Sequence, residues 1–125
     1  MDLKFLVVDD SVTMRRIVSN SLKNLGFDQF VEAGDGKEAL AALSADDSIN
    51  FVITDWNMPV MTGLELIKAI RSDSKFSKLP VLMVTTRGVK DDIIEALNAK
   101  VNNYIVKPFT PQVLKEKIDQ CLVSA

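Results

Sequence analysis

Histidine is absent from these 125 residues. That removes the commonest general base and the commonest phosphoryl-carrying ring, so any phosphohistidine step has to use a partner's side chain. Cysteine occurs once, at Cys121, which excludes an intramolecular disulfide and gives no sign of a metal-thiolate cluster. Its spacing from Leu114, Ile118 and Leu122 predicts a small core residue on a helix face. Apolar runs reach only four or five residues, as in Phe5-Leu6-Val7-Val8, far short of the ~20 that span a bilayer. No basic run accompanies the net charge of −2, which argues against DNA or nonspecific nucleic-acid binding. Met1-Asp2-Leu3-Lys4 lacks the charged and apolar regions of a secretory signal, so cytoplasmic residence without membrane insertion is expected. Linkers, repeats and low-complexity stretches are missing as well, and a single domain over 1–125 is expected.

What is present is a soluble globular balance, 47% hydrophobic and 26% charged. Phe5 to Val8 reads as a buried strand that stops at Asp9-Asp10-Ser11, a turn suited to cap a helix. Met14, Ile17, Val18, Leu22 and Leu25 then recur at helical spacing and end at Gly26, a C-terminal cap. Phe30-Val31 predicts a second strand, Lys37 to Leu43 a second helix, and Phe51 to Thr54 a third strand ending at Asp55. Leu64, Ile67 and Ile70 mark a helix after Gly63, Val81 to Val84 a fourth strand, and Ile93, Ile94 and Leu97 a fourth helix. Tyr104 to Val106 supplies the fifth strand, and Thr110-Pro111 opens a last helix. Five strands alternating with five helices predict an α/β fold, a parallel sheet between two helical layers.

The unusual polar residues all fall at the carboxyl ends of strands, where open parallel sheets bind ligands. Asp9 and Asp10 follow the first strand, Asp55 ends the third, Thr85 the fourth and Lys107 the fifth. Each has a bland reading alone: a solvated turn, a helix cap, a surface lysine. Their coincidence at successive strand ends reverses that reading. If the first and third strands are neighbours, as in the doubly wound order 2-1-3-4-5, three carboxylates converge and repel one another. A hard divalent cation relieves this, and Mg²⁺ suits a few carboxylate or carbonyl oxygens, the main-chain carbonyl of Asn57 included. Lys107 and the Thr85 hydroxyl can then meet phosphoryl oxygens, with Asp55 as nucleophile.

Leu6-Val7-Val8-Asp9-Asp10, Thr13-Met14-Arg15-Arg16, Asp55-Trp56-Asn57-Met58-Pro59, Thr85 and Tyr104-Ile105-Val106-Lys107-Pro108-Phe109 together resemble the receiver domains of two-component response regulators. Within them they resemble the single-domain chemotaxis regulators of the CheY type. The strand order 2-1-3-4-5 of this flavodoxin-like fold is already known for CheY, so it is carried over with the resemblance. The resemblance implies Asp55 as phosphoacceptor, with Asp10, Asp55 and the Asn57 carbonyl on Mg²⁺ and Asp9 nearby. It implies Thr85 and Lys107 on the phosphoryl group, Thr85 and Tyr104 as switch residues, and a cis Lys107-Pro108 bond. It also implies a chemotaxis histidine kinase as phosphodonor and a flagellar motor switch protein as target. The target would dock on the face of the fourth helix, fifth strand and last helix through Lys90, Tyr104 and Lys117. A phosphatase is a candidate third partner, and the chain is expected to be a monomer.

Two residues depart from the pattern: Lys100 stands where glycine is usual, and Arg87 where an acid is common. Two other functions stay open at this point. One is a phosphorelay intermediate that passes its phosphoryl group to another histidine domain. The other is a Mg²⁺-dependent aspartyl phosphotransferase, against which the short strand-to-helix loops argue.

Overall fold

A computed structural model describes residues 3–56, 58–85 and 101–124. Five strands, β1 (Phe5–Val8), β2 (Phe30–Ala33), β3 (Phe51–Asp55), β4 (Val81–Thr85) and β5 (Asn103–Val106), alternate with α1 (Val12–Asn24), α2 (Gly36–Ala45), α3 (Gly63–Ser72) and α4 (Pro111–Ser124). All pairings are parallel and the order is β2-β1-β3-β4-β5. Four helices are described where five were expected. The expected helix around Ile93–Leu97 lies outside the described residues, as do Arg87 and Lys100.

Side chains alternate across the sheet, so the apolar strands serve two cores at once. Leu6, Val8, Val52, Val81 and Met83 face α2 and α3 through Ala39, Leu43, Leu66, Ile67 and Ile70. Phe5, Val7, Phe51, Ile53, Leu82, Val84 and Ile105 face α1 and α4 through Val18, Leu22, Leu114, Ile118 and Cys121. Each fully buried Leu, Ile or Phe of this kind contributes about 1.5–3 kcal/mol. Cys121 is buried, and burial pushes its thiol up to about 12. Ile17, by contrast, is 45% exposed despite its helical spacing.

Local chemistry sets the helix ends. The Met14 amide donates to Ser11 Oγ at 3.2 Å, which starts α1 directly after the paired acids. Its other end closes on Gly26 at φ +92°, where the Phe27 amide reaches the Leu22 carbonyl and the Gly26 amide that of Lys23. Thr62 and Glu65 form a reciprocal capping box for α3. Thr110 Oγ1 accepts from the Val113 amide at 3.2 Å, as its place before Pro111 predicts. No described helix is long and apolar enough to cross a membrane.

Candidate functional site

Helices leave the sheet in opposite directions beside β1 and β3, and the crevice lies beyond the carboxyl ends of those strands. Asp9 extends β1, with its amide donating to the Ala33 carbonyl of β2 at 3.1 Å. Its Oδ1 accepts from the Ser11 amide at 2.9 Å, and its side chain is nearly buried. Asp55 is the last residue of β3 and also buried, and the following Trp56 amide donates to the Val84 carbonyl. Asp10 is exposed. One oxygen from each of Asp9, Asp10 and Asp55 lies within 4.8 Å of the others.

Lys107 answers this charge. Its main-chain amide donates to the Thr85 carbonyl at 2.8 Å, which fixes the exit of β5 beside that of β4. From there Nζ reaches Asp55 Oδ1 at 3.0 Å and Asp9 Oδ2 at 3.5 Å, in a side chain only 13% exposed. One ammonium against three carboxylates leaves the site short of positive charge. The Asp9 carboxyl is held above its ordinary value chiefly by burial, which the Ser11 amide opposes; the Asp55 charge raises it further and Lys107 lowers it. Hard oxygen donors, close spacing and a cation deficit fit a divalent ion such as Mg²⁺.

Thr85 is buried at the end of β4, paired in register with Val106. Tyr104 stands opposite Met83 on β5, half-buried, with Lys117 Nζ 5.5 Å from its ring centroid. Both line a groove of about 520 Å³ with Val106, Phe109 and Val113. The Lys107-Pro108 bond is cis. Asn57 and Lys90 lie outside the described residues.

Three supporting roles escaped the sequence reading, which names Gly63 only as preceding a helix and Arg15 only within a motif. Gly63 opens α3 against the end of β3: its amide donates to the Trp56 carbonyl at 2.9 Å, and a Cβ there would stand 2.2 Å from the Asp55 carbonyl oxygen. Glycine at the first turn of a helix otherwise rich in strong helix formers was the available signal. Val60 holds φ +69° in the β3–α3 loop, and nothing in a valine announces that. Arg15 ties the acidic turn to β2 through Asp9 and Glu32.

Fold and site together define a doubly wound α/β domain with a lysine-bridged cluster of three carboxylates at its switch point. Residues 5–119 match the family described as response regulator receiver domain, and the chain belongs to that family. It is 57% identical to chemotaxis protein CheY1 of Helicobacter pylori over 120 residues, 96% of this chain and 97% of that one. Chemotaxis protein CheY of Pseudomonas aeruginosa is 54% identical over 118 residues, 94% of each chain. Among solved structures, chemotaxis protein CheY4 of Vibrio cholerae superimposes with a TM-score of 0.88 at 36% identity, covering 97% of this chain and 99% of that one.

Proposed function

We propose that this protein is a chemotaxis response regulator that accepts a phosphoryl group on Asp55 in a Mg²⁺-dependent reaction. The observation that carries the reading is the Lys107 ammonium bridging Asp55 and Asp9 within a cluster of three carboxylates. Names of relatives that share more than half the sequence, all chemotaxis proteins of the CheY kind, support the pathway.

Asp9, Asp10 and Asp55 would hold the ion, with the Asn57 carbonyl as a further donor. When bound, Mg²⁺ neutralises charge on the carboxylates and on incoming phosphoryl oxygens. An Asp55 carboxylate oxygen forms a bond to phosphorus as the P–N bond of a partner's phosphohistidine breaks. The electron pair leaves on the imidazole nitrogen, and an acyl phosphate remains on Asp55. Lys107, already 3.0 Å from Asp55, holds a phosphoryl oxygen, and the Thr85 hydroxyl donates to another. The chain thus promotes its own phosphorylation and dephosphorylation as a signalling domain rather than an enzyme with a separate substrate.

Output is docking. The movement of Thr85 toward the phosphate is transmitted to Tyr104, whose groove with Lys117 forms, with Lys90, the contact face for a flagellar motor switch protein. A chemotaxis histidine kinase supplies the phosphoryl group. The protein acts as a cytoplasmic monomer.

Incubation with Mg²⁺ and acetyl phosphate should add one phosphoryl group, read by intact mass, and Asp55→Asn should abolish it. Labelling that survives in Asp55→Asn sinks the assignment. Capture of a flagellar switch component that is indifferent to beryllofluoride would remove the docking step.

A further inference from the structure

Arg15 stands on the first turns of α1, outside the acidic cluster, yet it grips the turn that carries two of the acids. Its Nη1 donates to the Asp9 main-chain carbonyl at 2.5 Å, while its Nε donates to Glu32 Oε1 at 3.1 Å. Glu32 belongs to β2, in register with Val7 of β1. The guanidinium therefore links α1, the end of β1 and the edge strand, in a side chain only 17% exposed.

The accepting oxygen matters because it belongs to the peptide plane joining Asp9 to Asp10. That unit is planar, so holding its carbonyl fixes ψ of Asp9 and φ of Asp10 together. Upstream, the Asp9 amide is already tied to Ala33, and downstream the Ser11 amide is tied to Asp9 Oδ1. Arg15 supplies the remaining restraint. The exposed Asp10 carboxylate makes no hydrogen bond among the described residues, so the direction of its backbone decides where it points. An exposed ion pair alone contributes little. The fork of the guanidinium distinguishes this one, since it serves a carboxylate and a carbonyl in fixed relative geometry.

We infer that Arg15, buttressed by Glu32, is a positioning residue that aims the Asp9-Asp10 turn so that its carboxylates converge with Asp55 on the cation. This rests on the functional reading above. The sign of the effect is diagnostic. Removing a positive charge beside a cation site strengthens cation binding by Coulomb's law, whereas removing a positioning group weakens it.

The test is calorimetric titration of the metal-free protein with MgCl₂, with the fluorescence of Trp56, the single tryptophan, as a second readout. Arg15→Met keeps the apolar stem and should weaken Mg²⁺ binding about tenfold, the usual scale for partners that orient metal ligands. Arg15→Lys, which keeps charge but not the fork, should fall between Met and wild type. Glu32→Gln, still able to accept from Nε, should stay close to wild type. Phosphorylation of Arg15→Met by acetyl phosphate should recover as Mg²⁺ is raised. Unchanged or tighter Mg²⁺ binding in Arg15→Met overturns the inference. If that variant fails to fold, Glu32→Ala is compared with the equally charged Glu32→Gln, which keeps the acceptor for Arg15: weaker binding in Glu32→Ala than in Glu32→Gln supports the assignment, and equal binding ends it. A wild-type protein that takes up no Mg²⁺ overturns the functional reading as well, whereas normal wild-type uptake with unaltered variants overturns Arg15 alone.

Discussion

Replacing Val60 by asparagine relieves a backbone conformation that a β-branched side chain resists. Val60 holds φ +69°, and the Met61 amide bonds back to the Pro59 carbonyl at 2.7 Å, a three-residue turn of the rarer, strained hand. A β-branched residue at positive φ in a sparsely populated region costs roughly 1–3 kcal/mol, and asparagine is among the residues that adopt positive φ more readily. The side chain is 68% exposed, so its removal sacrifices little burial. Val60→Asn should therefore stabilise the protein by about 1 kcal/mol. Val60→Gly relieves as much strain but returns about 0.5–1 kcal/mol through the greater freedom of the unfolded chain, so its gain should be smaller. Urea denaturation without Mg²⁺ gives the measurement. With a slope of about 1–3 kcal/mol/M, the midpoint of Val60→Asn should rise by about 0.3–1 M. Both variants unfolding at or below the wild-type midpoint would refute the strain argument, since neither asparagine nor glycine brings a new clash to an exposed loop.

Gly63→Ala should destabilise the fold by about 1–3 kcal/mol in the same assay and slow phosphorylation, because its Cβ would meet main-chain oxygen of Asp55 at 2.2 Å; wild-type behaviour in both would remove the steric claim. Asp10→Ala should raise the metal-free melting temperature while impairing phosphorylation, a gain of about 0.5 kcal/mol at low salt that shrinks in 1 M salt; a lower metal-free value counts against the repulsion of the three acids. Asp46 is held down to about 2, first by its hydrogen bond from Lys4 and then by Ser48. A depressed carboxyl stabilises above its unfolded value of 3.8 and loses that contribution as pH falls through the folded value. Asp46→Asn should thus be less stable than wild type at pH 7, with the deficit closing between about pH 4 and 2; a constant deficit would point to packing instead.

The strands were legible because a parallel sheet buried on both faces writes itself as short apolar runs, and Phe5–Val8 and Phe51–Asp55 end where the acids begin. Helix starts at Ser11 and Thr110 were legible because capping is local chemistry. Faces were harder. Ile17 shares the spacing of the core residues of α1 yet lies 45% exposed, and Leu66 rather than Leu64 is the buried leucine of α3. In both helices the apolar residues outnumber the places that the sheet can cover. At the site, the acids and Lys107 were found because charge at strand ends is conspicuous. Arg15, Gly63 and Val60 were missed because their roles depend on main-chain atoms of other residues, which side-chain types do not report.

The lone sulfhydryl of Cys121, sealed between α4 and the sheet and far too weakly acidic to ionise at neutral pH, makes the molecule its own stopwatch. A thiol-specific reagent can reach it only while that layer is lifted away. The speed of its modification, followed with and without magnesium or phosphate, would time the opening of the helix that carries it, without any foreign label attached.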